Sequence, residues 1–307
     1  MLERGGSRSA TQLPRTLDSG TRVRVLTWWQ AVVLGLVEGV TEYLPVSSTG
    51  HLILAASLLR LDHAGAKDAV DAFIVVVQGG AILAVLALYW PRVVQMIKGL
   101  VGRDDVGFRL ACNLGIAFAP AALAGLLLSK PIKATLFGPW PVLAALAAGG
   151  AWMVWFGRRP QHGTDDLATM SWRTAVAIGL CQTLALWPGT SRSMVTIGGG
   201  MLLGLRAVPA AEFSFLLGLP TLGAACAHDL LADFRQARVA GGPMMLEQLG
   251  AGSVVLGIVV ATLSAALAVR WLVGMLNRHG LEPFGWYRLF VSALFALLLL
   301  LGVIASG

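Results

Sequence analysis

The chain has 307 residues, 56% of them hydrophobic and 13% charged, against about a quarter charged in an ordinary soluble domain. That balance excludes a water-soluble fold and makes the bilayer the expected solvent. The formal charge of +7 does not point to nucleic acid, because the basic residues sit in short loops between apolar runs with no aromatic-interleaved patch; such loops fit the flanks of membrane spans.

Residues 1–27 carry five Arg among Gly, Ser and Thr without apolar periodicity, which reads as a flexible Arg-rich tail. No secretory cleavage pattern follows it. Residues 28–307 read as a single membrane domain. It opens with AVVLGLVEGVTEYLPVSS (31–48), an apolar helix of about 15 residues stopped at Pro45, then a polar loop and a second short apolar helix. A span needs about 20 residues, so this shape predicts a re-entrant hairpin whose loop must be satisfied by protein or by a water-filled cavity. Three runs long enough to span follow, near 70–90, 110–129 and 140–157. The hairpin pattern then returns as AVAIGLCQTLALWPGTSR (175–192), stopped at Pro188 and sharing Ala, Val, Gly, Leu and Ser with the first copy at a constant offset. Three more runs lie near 210–231, 250–273 and 286–305. Cys112, Cys181 and Cys226 each stand alone in an apolar segment, without metal-ligand or disulfide spacing, and read as small core residues.

An odd number of spans between the two hairpins inverts the second copy. The expected fold is an all-α polytopic membrane protein with an inverted-topology repeat, repeat one about 28–157 and repeat two about 172–305. Six spanning helices accompany two re-entrant helical hairpins, and the two loops meet near the midplane, where folds of this kind build their sites. Lys and Arg of the loops favour a cytoplasmic side at Arg92, Arg103, Arg158 and Arg173, but the tail's five Arg cancel that bias.

The ionisable residues inside these hairpins carry the functional signal, since a charge in the membrane is costly. Glu38 and Glu42 share one helix face, four residues apart, where like charges repel; a divalent cation or a shared proton relieves them. After Pro45, Ser47, Ser48 or Thr49 can cap the next helix, and Gly50 lets backbone approach a ligand. Free N–H groups there suit phosphate. His51, in the first turn, lies within proton-exchange range of a hydroxyl or phosphate oxygen. In the second loop Pro188 and Gly189 break the helix, Thr190 and Ser191 can cap the next one, and Arg192 precedes Ser193. Arg192 has the planar fork of a phosphate clamp; the alternative reading is a purely structural salt bridge to Glu38 or Glu42, a pair that is also compatible with a resting enzyme. By offset Glu38 matches Gln182, Glu42 matches Leu186 and Ser48 matches Arg192. One copy thus carries nucleophile and base, the other positive charge. Gln78 either lines the cavity or bonds across helices; Glu212, after Pro209, reads as a helix-start carboxylate.

The motifs EGVTEYLPVSSTGH (38–51) and PGTSRS (188–193) resemble those of the bacterial undecaprenyl-diphosphate phosphatase family, UppP or BacA, with further similarity in QGGAILAV (78–85) and EFSFLL (212–217). The resemblance runs over nearly the whole chain after the tail. It implies a multi-pass enzyme of the bacterial inner membrane that hydrolyses undecaprenyl diphosphate to the monophosphate, recycling the carrier for peptidoglycan synthesis, with bacitracin resistance on overproduction. It further implies Glu38 and Glu42 as the acidic motif, binding Mg²⁺ or Ca²⁺. Ser48 and His51 become nucleophile or acid/base, and Ser191 and Arg192 contact phosphate. Two positions depart from the pattern: Met194 stands where Gly usually follows SRS, and Ile74 where a Glu is expected. Ser48, His51 and water all remain open as the attacking group. A lipid-phosphate flippase using the same anion site is the alternative function, and oligomeric state stays open, a homodimer included.

Overall fold

The computed structural model describes residues 26–61, 67–158, 163–240 and 249–304; most of the Arg-rich tail therefore lies outside the described residues. The described chain is helical, with one isolated bridge between Thr164 and Leu205. In order, the helices are α1 (Trp28–Thr41), α2 (Ser48–Leu58), α3 (Lys67–Leu88), α4 (Trp90–Leu100), α5 (Asp105–Leu136), α6 (Pro139–Gly157), α7 (Trp172–Thr183), α8 (Arg192–Leu202), α9 (Ala207–Ala240), α10 (Ala251–His279) and α11 (Glu282–Leu300).

Six of these, α3, α5, α6, α9, α10 and α11, are long and apolar enough to cross a membrane, and they fall on the six runs expected from sequence. Their outward faces carry Leu123, Leu126, Leu127, Leu263, Leu267, Phe290 and Leu300, all well exposed. Apolar surface on that scale is untenable in water and ordinary against lipid. The chain is an all-helical multi-pass membrane protein.

Besides α4, four helices are too short to span. At about 1.5 Å per residue, the 14 residues of α1, the 12 of α7 and the 11 each of α2 and α8 fall well below the roughly 30 Å hydrocarbon layer. α1 ends four residues before Pro45, and α7 passes through a 3₁₀ turn at Leu184–Leu186 before Pro188. Each proline lacks an N–H and cannot continue the ladder. α4 was not foreseen: it is a short amphipathic helix with Pro91 in its first turn, and it packs on α5.

Packing crosses the chain midpoint. α1 lies along α10, α7 along α5, α6 along α11, and α3 contacts both α9 and α10. The α1–α10 seam is made by small residues: a Cβ on Gly35 would sit 2.7 Å from the Gly257 carbonyl oxygen, and one on Gly39 2.9 Å from the Ala261 Cα. Close helix approach through glycine replaces the hydrophobic drive that lipid removes. Between the hairpins, Tyr43, Leu44 and Val46 share a core with Met194, Val195, Ile197, Phe213 and Phe215. Asn113, buried on α5, donates to the Met170 carbonyl at 3.0 Å.

Gly39→Ala is expected to cost about 1–3 kcal/mol through overpacking, seen as a lower Tm in detergent. Gly115→Ala, with open space around its Cβ, should leave the Tm unchanged. Equal Tm values for both would contradict the seam.

Candidate active site

Both hairpin loops turn on a strained serine. Ser47 has φ +73° and Ser191 φ +74°, a left-handed conformation that costs a side-chain-bearing residue about 1–3 kcal/mol. The two serines correspond at the offset that aligns the hairpins, and each immediately precedes a helix, α2 or α8. The turn aims both helix N-termini into one cavity of about 170 Å³ lined by Glu42, Ser47, Ser48, Gln78, Gly189 and Arg192, among others. Thr49 and Ser191 line it too. Two helix starts opening on one space suit an anion.

Within that space, Ser48 Oγ donates to Glu42 Oε2 at 2.8 Å, and Arg192 Nη2 reaches Glu42 Oε1 at 3.4 Å. Glu42 and Arg192 are both nearly inaccessible, with side-chain exposures of 6% and 8%, so their attraction is little screened. Arg192 also donates from Nη1 to the Ser214 carbonyl at 3.0 Å and lies 5.3 Å from the Tyr43 ring centre. Its Nε has no partner among the described residues. Of the two acidic partners left open by sequence, Glu42 is the one Arg192 contacts.

Glu38 sits one turn back on α1, buried, and neither carboxylate oxygen has a hydrogen-bond partner among the described residues. Its counterpart Gln182 is likewise buried, accepts from Thr221 Oγ1 at 3.4 Å, and leaves Nε2 unpartnered. Among the described residues no cluster of three His, Cys, Asp or Glu exists that could hold a metal by itself.

Other expected site residues lie beside the cavity. His51 Nδ1 meets the Ser47 carbonyl at 2.7 Å and Nε2 the Tyr287 hydroxyl at 2.8 Å. A carbonyl can only accept, so Nδ1 carries the proton and Nε2 accepts from Tyr287. Ser193 is fully buried and donates to the Leu44 carbonyl at 2.8 Å, tying the second hairpin to the first. Ser191 Oγ accepts from the Met194 N–H at 3.3 Å, the capping bond foreseen for it. Gly50 faces Leu146. Gly189 takes φ +94°, and a Cβ there would collide with the Val142 backbone. Gln78 both lines the cavity and accepts from Cys226 Sγ at 3.6 Å. Glu212 pairs with Arg92 at 2.7 Å, and Met194 is buried in the core shared by the hairpins.

Sequence reading missed Arg288. Its side chain is fully buried, and all five N–H groups go to backbone carbonyls: Nε to Leu146, Nη1 to Pro45 and Thr190, Nη2 to Ala145 and Gly189. The available signal was an arginine inside the apolar run at 286–305, where an ionisable residue is functional by default.

The chain is similar to known proteins over most of its length. Residues 31–294 match the family model described as bacitracin resistance protein BacA. An undecaprenyl-diphosphatase of Sorangium cellulosum is 46% identical over 271 residues, covering 87% of this chain and 85% of that protein. Undecaprenyl-diphosphatase 2 of Rhodospirillum rubrum is 45% identical over 263 residues, 85% of this chain and 90% of the relative. The undecaprenyl-diphosphatase of Deinococcus radiodurans is 41% identical over 285 residues, 92% and 99% of the two chains.

Ser193→Ala should lower stability by about 0.5–1.5 kcal/mol, because it removes a buried bond between the hairpins while the Leu44 carbonyl keeps the Val46 N–H at 2.8 Å. Thr49→Ala, at the cavity wall, should not. Thermal unfolding of both variants in detergent checks this.

Proposed function

The chain belongs to the bacitracin resistance protein BacA family, and from that membership and the two-loop cavity we propose how its residues divide the chemistry. It is an undecaprenyl-diphosphatase, hydrolysing undecaprenyl diphosphate to the monophosphate and phosphate. The flippase alternative is not favoured. The observation that carries the mechanistic reading is the Ser48–Glu42–Arg192 chain of contacts at 2.8 and 3.4 Å.

Ser48 Oγ attacks the terminal phosphorus. The bond from that phosphorus to the bridging oxygen breaks, and the lipid monophosphate leaves. Glu42 takes the hydroxyl proton, since its Oε2 already accepts it. Water then attacks the phosphoserine and releases phosphate. Arg192 and the N-termini of α2 and α8 hold the diphosphate and meet the charge that develops in transfer. Arriving phosphate competes with Glu42 for Arg192, which frees the carboxylate to act as base. His51 has less support as base or nucleophile, because both its ring nitrogens are engaged away from Ser48. It fits better as a brace for the Ser47 turn.

A divalent cation, Mg²⁺ or Ca²⁺, fits the unpartnered oxygens of Glu38 beside Glu42. With no third acidic ligand among the described residues, phosphate oxygens of the substrate would complete its shell, the habit of Mg²⁺ in phosphoryl-transfer sites. When bound, it neutralises charge on the diphosphate.

The finer architecture belongs to the same reading: two re-entrant hairpins, each followed by three spans, form an inverted repeat in the bacterial inner membrane. Its support is the exchange of partners, α1 on α10 against α7 on α5, together with the matched strained serines and the equal 11-residue lengths of α2 and α8.

Purified protein should release phosphate from undecaprenyl diphosphate and lose that activity with EDTA. Glu42→Gln should fall by roughly 10²-fold or more, and Ser48→Ala should neither turn over nor trap phosphate under acid quench. Trapped phosphate that survives Ser48→Ala would exclude Ser48 as nucleophile; no release by folded wild type would overturn the hydrolase reading.

A further inference from the structure

Loops at mid-membrane depth expose carbonyls that neither helix nor water satisfies. In this protein three such carbonyls, Pro45 of the first loop and Gly189 and Thr190 of the second, converge on one guanidinium, that of Arg288 on α11, at 3.4, 2.8 and 3.0 Å. The remaining two N–H groups anchor the same guanidinium to α6, on Ala145 and Leu146 at 3.0 and 3.1 Å. α6 makes the room: a Cβ on Gly149 would stand 2.5 Å from Arg288 Nη2, and one on Gly150 3.0 Å from Arg288 Cβ.

We infer that Arg288 is the positioning residue of this enzyme, fixing the two loops against α6 so that Ser48 and Arg192 address one diphosphate. Pro45 stands three residues before Ser48, and Gly189 three before Arg192, so each tether lies within one turn of the group it places. A rigid, planar five-donor fork can hold five carbonyls at once; an ammonium has three donors and no fork. Because every N–H goes to a neutral carbonyl and none to a carboxylate, the cation's charge is uncompensated. Arg288 touches neither Ser48 nor Arg192 among its bonded partners, so its effect passes through the loops.

This inference rests on the phosphatase reading, and a double-mutant cycle separates the two. Phosphate release from undecaprenyl diphosphate is measured for wild type, Arg288→Lys, Arg192→Lys and the double variant, with Tm recorded for each. Loss of loop placement predicts that Arg288→Lys lowers kcat/KM by roughly 10²-fold in folded protein. Added to Arg192→Lys, it should lower kcat/KM by far less than it does alone, because Arg192 is then already displaced. A wild-type kcat/KM in Arg288→Lys, or losses that multiply in the double variant, would overturn the positioning role while leaving the hydrolase intact. Wild type that releases no phosphate would sink the hydrolase reading instead. Should Arg288→Lys not be recovered folded, Gly149→Ala runs the same cycle, since its methyl displaces the guanidinium without removing the charge.

Discussion

The lack of water in the bilayer interior is the constraint on which the rest of this structure depends. A helix satisfies its own backbone there, and a loop does not. The sequence nevertheless breaks helices at Pro45 and Pro188, inside what would otherwise be continuous apolar segments. The protein answers with dedicated partners: Arg288 collects carbonyls from both loops and Ser193 takes the Leu44 carbonyl. These same bonds join the hairpins to one another, so satisfying the backbone and assembling the site are one event.

With the loops held, charge can be placed where lipid alone would forbid it. Glu42 and Arg192 come from opposite halves of the chain and meet with almost no solvent contact. Breaking such a pair from one side is costly, since it strands the other charge. In the proposed mechanism a diphosphate entering the cavity replaces one anion with another and avoids that penalty. In the same proposed mechanism the acidic hairpin supplies the base and hydroxyl, and the basic hairpin supplies the clamp. Unlike chemistry in the two loops suits phosphoryl transfer better than passive binding does.

Much of this was legible in the residues. The six spans follow from run length, the short helices α1 and α7 from prolines that cut apolar segments, and the Glu42–Ser48–Arg192 grouping from polar residues in apolar surroundings. Three features were not. α4 resembles a basic loop because its apolar residues occupy a single face of only three turns. His51 was expected at the cavity, but the α2 rotation set by the Ser47 turn sends its ring to Tyr287, and no local pattern encodes that rotation. Arg288 lies roughly a hundred residues from the nearer loop, and its carbonyl partners have no side-chain signature. An arginine in an apolar run announced that something was there, and only the tertiary contacts reveal what.

The central claim is that both loops hold one diphosphate. The most direct measurement is photo-crosslinking of the purified protein with a lipid diphosphate analogue that bears the photoreactive group on its terminal phosphorus, followed by peptide mapping. The account predicts labels in both 45–51 and 188–193, competed away together by undecaprenyl diphosphate. Labelling confined to one loop, or found on helices away from the cavity, would contradict it.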